Sequence, residues 1–348
     1  MQAMLYMLTR PLLFMTDAEK AHNLSLAALK IAPLPAANTD SPLLRQQVAG
    51  LDFANPVGLA PGYDKNAEVP VEIMRLGFGF VEVGTLTPLP QAGNPRPRLF
   101  RLVEDEAVIN RMGFNNDGQA AAIARLRNIP ANSLRGPLGI NIGANKDSED
   151  RVADYVTGVR DMAPFANYLT INISSPNTPG LRALQDKSAL DDLLARSMAA
   201  RDDDTPVFLK VAPDLEPADI DDIVEVSLAR GIAALIVSNT TVTRPPLKSR
   251  EADESGGLSG APLLDLAHQR LRDFRKASGG AIPLIGVGGI SSADDAYARI
   301  RAGASLVQIY SALVYHGPGL ARRINAGLAR LLERDGFASI AEAVGVDG

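Results

Sequence analysis

Residues 283–291 read Pro-Leu-Ile-Gly-Val-Gly-Gly-Ile-Ser: a short apolar run, a turn of glycines, and a hydroxyl residue ahead of a helical stretch. The run Pro283–Val287 has the length and β-branched character of a buried strand. Glycines in the pattern Gly286-x-Gly288-Gly289 let main-chain N–H groups approach an anion, and the next helix adds its dipole. The turn therefore resembles a phosphate cradle, although a tight strand-to-helix turn explains it equally well. It is no dinucleotide fingerprint, because it comes late in the chain and lacks the GxGxxG spacing.

Working outward, the same unit recurs. Apolar, β-rich runs occupy Val57–Pro61, Phe80–Gly84, Leu138–Gly143, Tyr168–Ile173, Val207–Ala212, Ala234–Ser238 and Leu306–Tyr310, with helical stretches between them. Eight strands alternating with helices predict a parallel sheet. Eight is also the number that closes a TIM barrel, and the late glycine turn sits where that fold usually binds phosphate. The fold class predicted is α/β, a (β/α)8 TIM barrel over residues 41–340 with a small helical extension at 1–40. A doubly wound open sheet is the second choice. Gln47–Phe53 reads as half a hairpin plugging one barrel end.

Length and composition agree. A chain of 348 residues accommodates one such barrel with an appendage, and 46% hydrophobic with 22% charged residues is ordinary for a globular protein. No apolar run is long enough to span a bilayer. The net charge of −5 and the lack of a Lys/Arg cluster argue against a nucleic-acid partner. Cysteine is absent, which removes disulfides, thiolate metal sites and a Cys nucleophile. The histidines are only His22, His268 and His316, so no metal site is expected. Redox chemistry in such a chain needs an organic cofactor.

Residues 1–35 stand apart. They read as two short apolar helices broken at Pro11 and near Thr16 and ending at Pro33 and Pro35, with Thr16-x-x-Glu19 as a capping box. Met4, Leu5, Leu8, Leu12 and Met15 form a stripe on the first. The second has two stripes, one of Ala21, Leu24, Ala28 and Ile31 and one of His22, Leu26 and Leu29. A helix apolar on two sides wants two partners. A signal peptide fits less well, because Pro11 and the charges from Asp17 onward interrupt its apolar core.

In a TIM barrel the chemistry sits where strands end. Gly62-Tyr63-Asp64-Lys65-Asn66 follows the first strand and Thr85 the second; Asn141 and Asn172 lie in the third and fourth. Ser174-Ser175-Pro176-Asn177-Thr178-Pro179-Gly180 comes next, then Lys210, Ser238-Asn239-Thr240, the glycine turn, and Tyr310-Ser311. Any one of these polar residues could be a satisfied core group. Their convergence on one mouth points to a ligand, since polar groups in apolar strands are costly unless paired. Amides suit a planar ring of alternating C=O and N–H groups, and the lysines suit an anion. Ser175 has no histidine motif beside it, so a hydrolase triad is unsupported.

Together these residues resemble the dihydroorotate dehydrogenases, specifically the membrane-associated, quinone-using class 2 enzymes. The resemblance runs over nearly the whole chain. It rests on Gly62–Lys65, Asn110-Arg111-Met112-Gly113-Phe114-Asn115, Asn172–Thr178, Ser238–Thr241, Gly256-Gly257-Leu258-Ser259-Gly260 and Gly286–Ile290. Class 1 enzymes use a Cys base, which this chain lacks; class 2 enzymes use a Ser and carry an N-terminal helical extension.

The resemblance implies FMN at the barrel mouth, with dihydroorotate stacked on its ring. FMN is then expected at Pro61, Gly62, Tyr63, Asp64, Lys65, Thr85, Asn141, Asn172, Lys210, Ser238, Gly260, Gly289, Tyr310 and Ser311. The substrate is expected at Lys65, Asn110, Arg111, Met112, Gly113, Phe114, Asn172, Asn177, Asn239 and Thr240. Ser175 is the implied base, taking a proton from C5 while hydride leaves C6. Many relatives have Ala where Pro61 stands and Thr where Ser238 stands. His22, Arg101 and Tyr310 are the implied lining of a quinone tunnel, with residues 1–35 resting on the cytoplasmic side of a bacterial inner membrane and the protein a monomer. On the residues alone two other readings stay open: a flavin-free aldolase using Lys65 or Lys210 as a Schiff-base lysine, and a non-enzymatic, membrane-attached binder of a phosphate ligand.

Overall fold

The computed structural model describes residues 2–34, 41–130, 132–178 and 180–348, and of residues 2–5, 7 and 8 the backbone only. The expected Met4, Leu5 and Leu8 side chains, Pro35 and Pro179 therefore lie outside what is described. In chain order the strands are β1 (Gln46–Val48), β2 (Leu51–Phe53), β3 (Val57–Leu59), β4 (Phe80–Leu86), β5 (Leu99–Leu102), β6 (Ala107–Asn110), β7 (Leu138–Ile142), β8 (Tyr168–Asn172), β9 (Val207–Val211), β10 (Ala234–Val237), β11 (Gly257–Gly260), β12 (Leu284–Val287) and β13 (Ala304–Ile309).

Eight of them close a parallel barrel in the order β3, β4, β7, β8, β9, β10, β12, β13. These are the eight expected runs, with boundaries shifted by one or two residues. The (β/α)8 fold is thus observed. Its interior is layered. At the bottom Phe80, Tyr168, Phe208, Ile285 and Leu306 pack with Val48 and Phe53. The Tyr168 and Phe208 rings stack at 4.4 Å. Glycine makes room for them: a Cβ on Gly139 would stand 2.1 Å from the Tyr168 ring. Val48 and Phe53 come from β1 and β2, which pair as a complete antiparallel hairpin rather than half of one. Ala49 and Gly50 have positive φ, which lets the chain reverse within two residues and fit both strands into the window. The hairpin seals the bottom, as expected.

The next layer up is polar. Glu82 of β4 is fully buried and accepts from Asn141 Nδ2 (2.7 Å), Gln308 Nε2 (2.7 Å) and Tyr168 OH (3.2 Å). A buried carboxylate persists only when its lone pairs are occupied in this way. Above it lies the mouth.

A small antiparallel sheet was not anticipated. β5 and β6 form a hairpin in the excursion after β4, and β11, from the excursion after β10, pairs with β6. It lies beside the mouth as a partial roof.

The N-terminal helices are α1 (Gln2–Phe14) and α2 (Ala18–Ile31). Two expectations about them need correction. Pro11 does not break α1, which runs on to Phe14. A proline removes one N–H, but tertiary contacts hold both sides of it. Tyr6 OH donates to Val314 O at 2.7 Å, Arg10 to Tyr315 O at 3.1 Å, and the Phe14 ring meets Tyr315 edge-on at 5.8 Å. Nor does Thr16 cap α2. Its hydroxyl donates back to Leu13 O at 2.7 Å, and Asp17 is the cap, accepting from Lys20 N at 2.9 Å. Glu19 cannot complete a capping box because its carboxylate turns inward to Arg96 and Arg98. Leu26 and Leu29 are buried, whereas Leu12, Met15, Leu24 and Ile31 are exposed. No described helix is long and apolar enough to cross a membrane.

Candidate active site

The strand ends enclose one cavity of about 740 Å³, which runs without interruption from Tyr6, Leu13 and Phe14 of α1 and His22 of α2 down to Asn172 and Lys210. Its floor is an amide network. Thr85 Oγ1 donates to Asn141 Oδ1 at 2.6 Å, and Asn172 Nδ2 lies 3.1 Å from each of those oxygens. Asn239 Nδ2 donates to Ser174 Oγ at 2.9 Å, and Ser174 Oγ to Asn172 Oδ1 at 3.0 Å. Asn172 and Lys210 face each other across β8 and β9 in register. The network is nearly closed on itself, which fixes each amide's orientation before anything binds.

Lys210 is buried, and among the described residues no side chain or carbonyl accepts from its ammonium. Burial lowers its pKa, and the charge of Glu82 opposes the drop. Lys65 enters from the loop after β3, where burial lowers its pKa to about 8 against the pull of Glu19. That loop is built by Asp64, whose carboxylate accepts from Asn66 N, Glu68 N and Val69 N at 2.8–3.3 Å. Asp64 is thus turned into the loop. Two cations without close acceptors make the cavity attractive to anions.

Ser175 is buried, lines the cavity and accepts from Asn177 N at 3.3 Å. Asn177 Nδ2 reaches Asn110 Oδ1 at 3.2 Å, so the loop after β8 is latched to β6 of the roof. Met112, Gly113 and Phe114 also line the cavity. Arg111 does not join them: its guanidinium pairs with Glu254 at 2.6 Å and lies over the Phe100 ring. Asn141 stands behind the wall, between Thr85 and Glu82.

The glycine turn has the form of a cradle. Gly288 and Gly289 have φ of +113° and +77°, and a Cβ on Gly289 would lie 2.3 Å from Leu264 Cα, so only glycine fits. Their N–H groups donate to no acceptor among the described residues. The helix dipole assigned to the cradle from sequence is spent elsewhere. Helix Ala293–Arg301 is capped by Ser292, and the carboxylate of Asp295 accepts from Ser291 N and Ser292 N at 3.0 Å. Across the cavity Ser259 and Ser311 hydroxyls meet at 2.7 Å.

On the side of the N-terminal helices, the rings of His22, Tyr63 and Tyr310 run edge to face, at 5.3 Å and 5.8 Å. Ser25 and Tyr63 hydroxyls are 2.9 Å apart, and Tyr310 OH donates to Gly62 O at 3.3 Å. Burial, aided by the charge of Lys65, lowers the His22 pKa to about 3, so the imidazole is neutral near pH 7. Arg101 donates to Leu13 O at 3.0 Å and to Thr16 O, capping the carbonyl end of α1.

Sequence reasoning missed three groups here. Glu82 and Gln308 form the polar layer beneath the mouth, and a charged residue inside the apolar run Phe80–Gly84 was the available signal. Arg182 donates to Ser174 O at 3.1 Å, Thr240 O at 3.1 Å and Asp214 at 2.9 Å, clamping the Ser175 loop to the loop after β10. Nothing in its local sequence marks it.

The barrel and its mouth define a (β/α)8 protein whose cavity offers an amide floor and two buried lysines. Residues 43–332 match the family profile described as dihydroorotate dehydrogenase, and the chain belongs to that family. It is 66% identical over 344 residues to the dihydroorotate dehydrogenase (quinone) of Sphingopyxis alaskensis, covering 98% of this chain and 96% of the relative. It is 64% identical to that of Novosphingobium aromaticivorans, over 98% and 99%. The crystal structure of ligand-free DHODH from Eimeria tenella superposes with a TM-score of 0.91 at 41% identity, over 95% of this chain and 99% of that one. The relatives carry the quinone-dependent name; neither the aldolase nor the non-enzymatic binder finds support among them.

Proposed function

We propose that the protein oxidises dihydroorotate to orotate with FMN as hydride acceptor and a membrane quinone as final oxidant, a step of pyrimidine biosynthesis. The observation that carries this reading is the continuity of the cavity. It brings an amide floor, two cations, a buried serine and an apolar entrance between helices into one space.

The residues suit FMN. Gly289, with Gly288, Gly260, Tyr310 and Ser311, would hold the phosphate, the first two through N–H groups that meet no acceptor among the described residues. Pro61, Gly62, Tyr63, Thr85, Asn172, Lys210 and Ser238 would surround the ring, with Asp64 and Asn141 holding those neighbours in place. Bound flavin supplies the hydride acceptor. Lys210, which is buried, would supply positive charge to the ring as negative charge builds on its reduction.

Lys65 would hold the substrate carboxylate as a point charge. Asn110, Asn172, Asn177, Asn239 and Thr240 would orient the planar ring through donors and acceptors already fixed by one another, with the 112–114 segment closing the side. Arg111 would contribute only its main chain. Ser175 would accept the C5 proton. A hydroxyl is a weak base, so its work depends on a relay and on the surrounding donors.

His22, Tyr63, Tyr310 and Arg101 would line the quinone's approach. Leu12, Met15, Leu24 and Ile31, all exposed, would rest in the cytoplasmic face of a bacterial inner membrane. Anaerobic mixing with dihydroorotate tests the reading. The flavin absorbance should bleach and return on adding quinone. A protein that carries flavin but does not bleach would overturn it.

A further inference from the structure

Arg299 is the largest fully buried side chain among the described residues, and nothing above uses it. It sits on helix Ala293–Arg301, directly behind the glycine turn. Its guanidinium donates to three carbonyls: Val287 O at 3.4 Å, Gly288 O at 3.0 Å and Leu264 O at 3.2 Å. Nε has no partner among the described residues. Among the described residues no carboxylate accepts from it. The titratable groups near it are Asp295 on its own helix and His268 on the helix Leu264–Ser278, and the Asp295 carboxylate is engaged by the N–H groups of Ser291 and Ser292. The first glycine of the motif exists for this side chain, since a Cβ on Gly286 would lie 2.5 Å from Arg299 Cγ.

A buried charge without a contacting counter-charge is expensive, and a structural tie between strand and helix could be made with a neutral donor. The geometry shows what the charge can do. A trans peptide carries its C=O and N–H on opposite edges. Holding the carbonyls of Val287 and Gly288 therefore turns the N–H groups of Gly288 and Gly289 away from the guanidinium. Those are the N–H groups left without acceptors, on residues that line the cavity.

We propose that Arg299 is a positioning residue for the flavin phosphate: it sets the glycine turn from behind and supplies the charge that makes the site prefer a phosphorylated flavin to riboflavin. This rests on the FMN reading above. The charge acts through the turn, without touching the ligand, and its contribution falls on the phosphate alone.

The test uses the full chain stripped of flavin and titrated separately with FMN and riboflavin, with quenching of flavin fluorescence as readout. The wild type should bind FMN more tightly. Arg299→Gln keeps a donor and loses the charge; it should weaken FMN roughly 10- to 100-fold, the range for losing charge assistance, and leave riboflavin unchanged. Arg299→Lys keeps the charge in a titratable form. Its preference for FMN should match wild type at pH 7 and fall toward pH 10, because burial lowers a lysine pKa. The wild-type preference should stay flat up to about pH 9, since the phosphate is already a dianion and burial lowers the Arg299 pKa only to about 10. The lysine variant decides the matter if the glutamine variant does not fold. Equal weakening of both flavins in Arg299→Gln, or a pH-independent preference in Arg299→Lys, would overturn the proposal. A wild type that binds neither flavin would instead overturn the FMN reading.

Discussion

Glu19 of α2 and Arg98, the residue before β5, form a buried two-point ion pair, Nη2 to Oε1 at 2.7 Å and Nε to Oε2 at 3.1 Å. Arg98 also donates to Ala92 O and Asn94 O, and Asn94 Nδ2 reaches Asn177 O at 3.1 Å. The N-terminal helix is thus joined, through three residues, to the loop that carries Ser175.

Glu19→Gln should loosen this joint. Removing one partner of a buried pair costs about 3 kcal/mol, so the melting temperature should fall and α2 should become open to protease at pH 7. The wild type should show the same opening only in acid. Hydrogen bonds from Arg98 hold the Glu19 carboxyl down to about 2 from an ordinary 4.5. A depressed carboxyl stabilises above its unfolded value, so docking should be complete above pH 4.5 and lost as pH falls toward 2. Limited proteolysis against pH checks this; a variant that melts and resists protease like wild type would refute it.

Ser175→Ala should leave flavin bound and slow its reduction by dihydroorotate by ~10²–10⁴-fold, the usual worth of a general base. Stopped-flow bleaching is the measurement. Near-normal reduction would take Ser175 out of the proton step. The assignment is exposed to this test because, among the described residues, its hydroxyl meets the main-chain N–H of Asn177 and no side-chain base.

Lys65 should give substrate binding an alkaline limb. With its pKa lowered to about 8, the ammonium is charged below that pH and neutral above it. The KM for dihydroorotate should therefore rise as pH passes 8, and Lys65→Met should raise KM at pH 7 and flatten the profile. His22, lowered to about 3, should add no inflection between pH 5 and 8 to the quinone step. An inflection near pH 6.5 that vanishes in His22→Asn would contradict the burial described.

Deleting residues 1–35 should leave the barrel folded, since all eight barrel strands lie outside them. Quinone-coupled turnover and liposome flotation should be lost. Turnover with a water-soluble dye should persist but fall by up to about tenfold, because Arg98 loses its carboxylate and remains buried. Comparing the two turnovers with flavin content separates the roles. Undiminished quinone turnover would mean that α1 and α2 only cover the barrel.

The barrel was legible because each strand announced itself: short apolar runs between helices at steady spacing. The polar strand ends were legible for the same reason, as Asn172 and Lys210 break apolar runs. Other features depend on contacts distant in sequence. Thr16-x-x-Glu19 is a sound capping pattern, but Arg98, 79 positions away, claims the carboxylate. Pro11 would end an isolated helix, but Tyr6 and Phe14 anchor α1 to residues 314 and 315. Arg111 sits in a motif full of cavity residues, yet Glu254 draws its side chain outward. The strands of the roof were missed because Gly257–Gly260 carries two glycines in four residues and little apolar alternation; its strand character comes from pairing with β6.

That roof has a consequence for how the protein is made. Its strands come from excursions far apart in the chain, with Ser259 bonded to Val108 across 151 positions. The two excursions cannot pair with each other until the barrel has brought β4 and β10 into place, so the entropy of closing that loop is met only late. On a ribosome, β5 and β6 emerge long before their partner and must wait as a lone two-stranded ribbon, which is marginal in water. The enclosure of the substrate loop is therefore among the last events of biogenesis, and lesions at Gly256–Gly260 should lower the yield of competent sites while leaving the barrel intact.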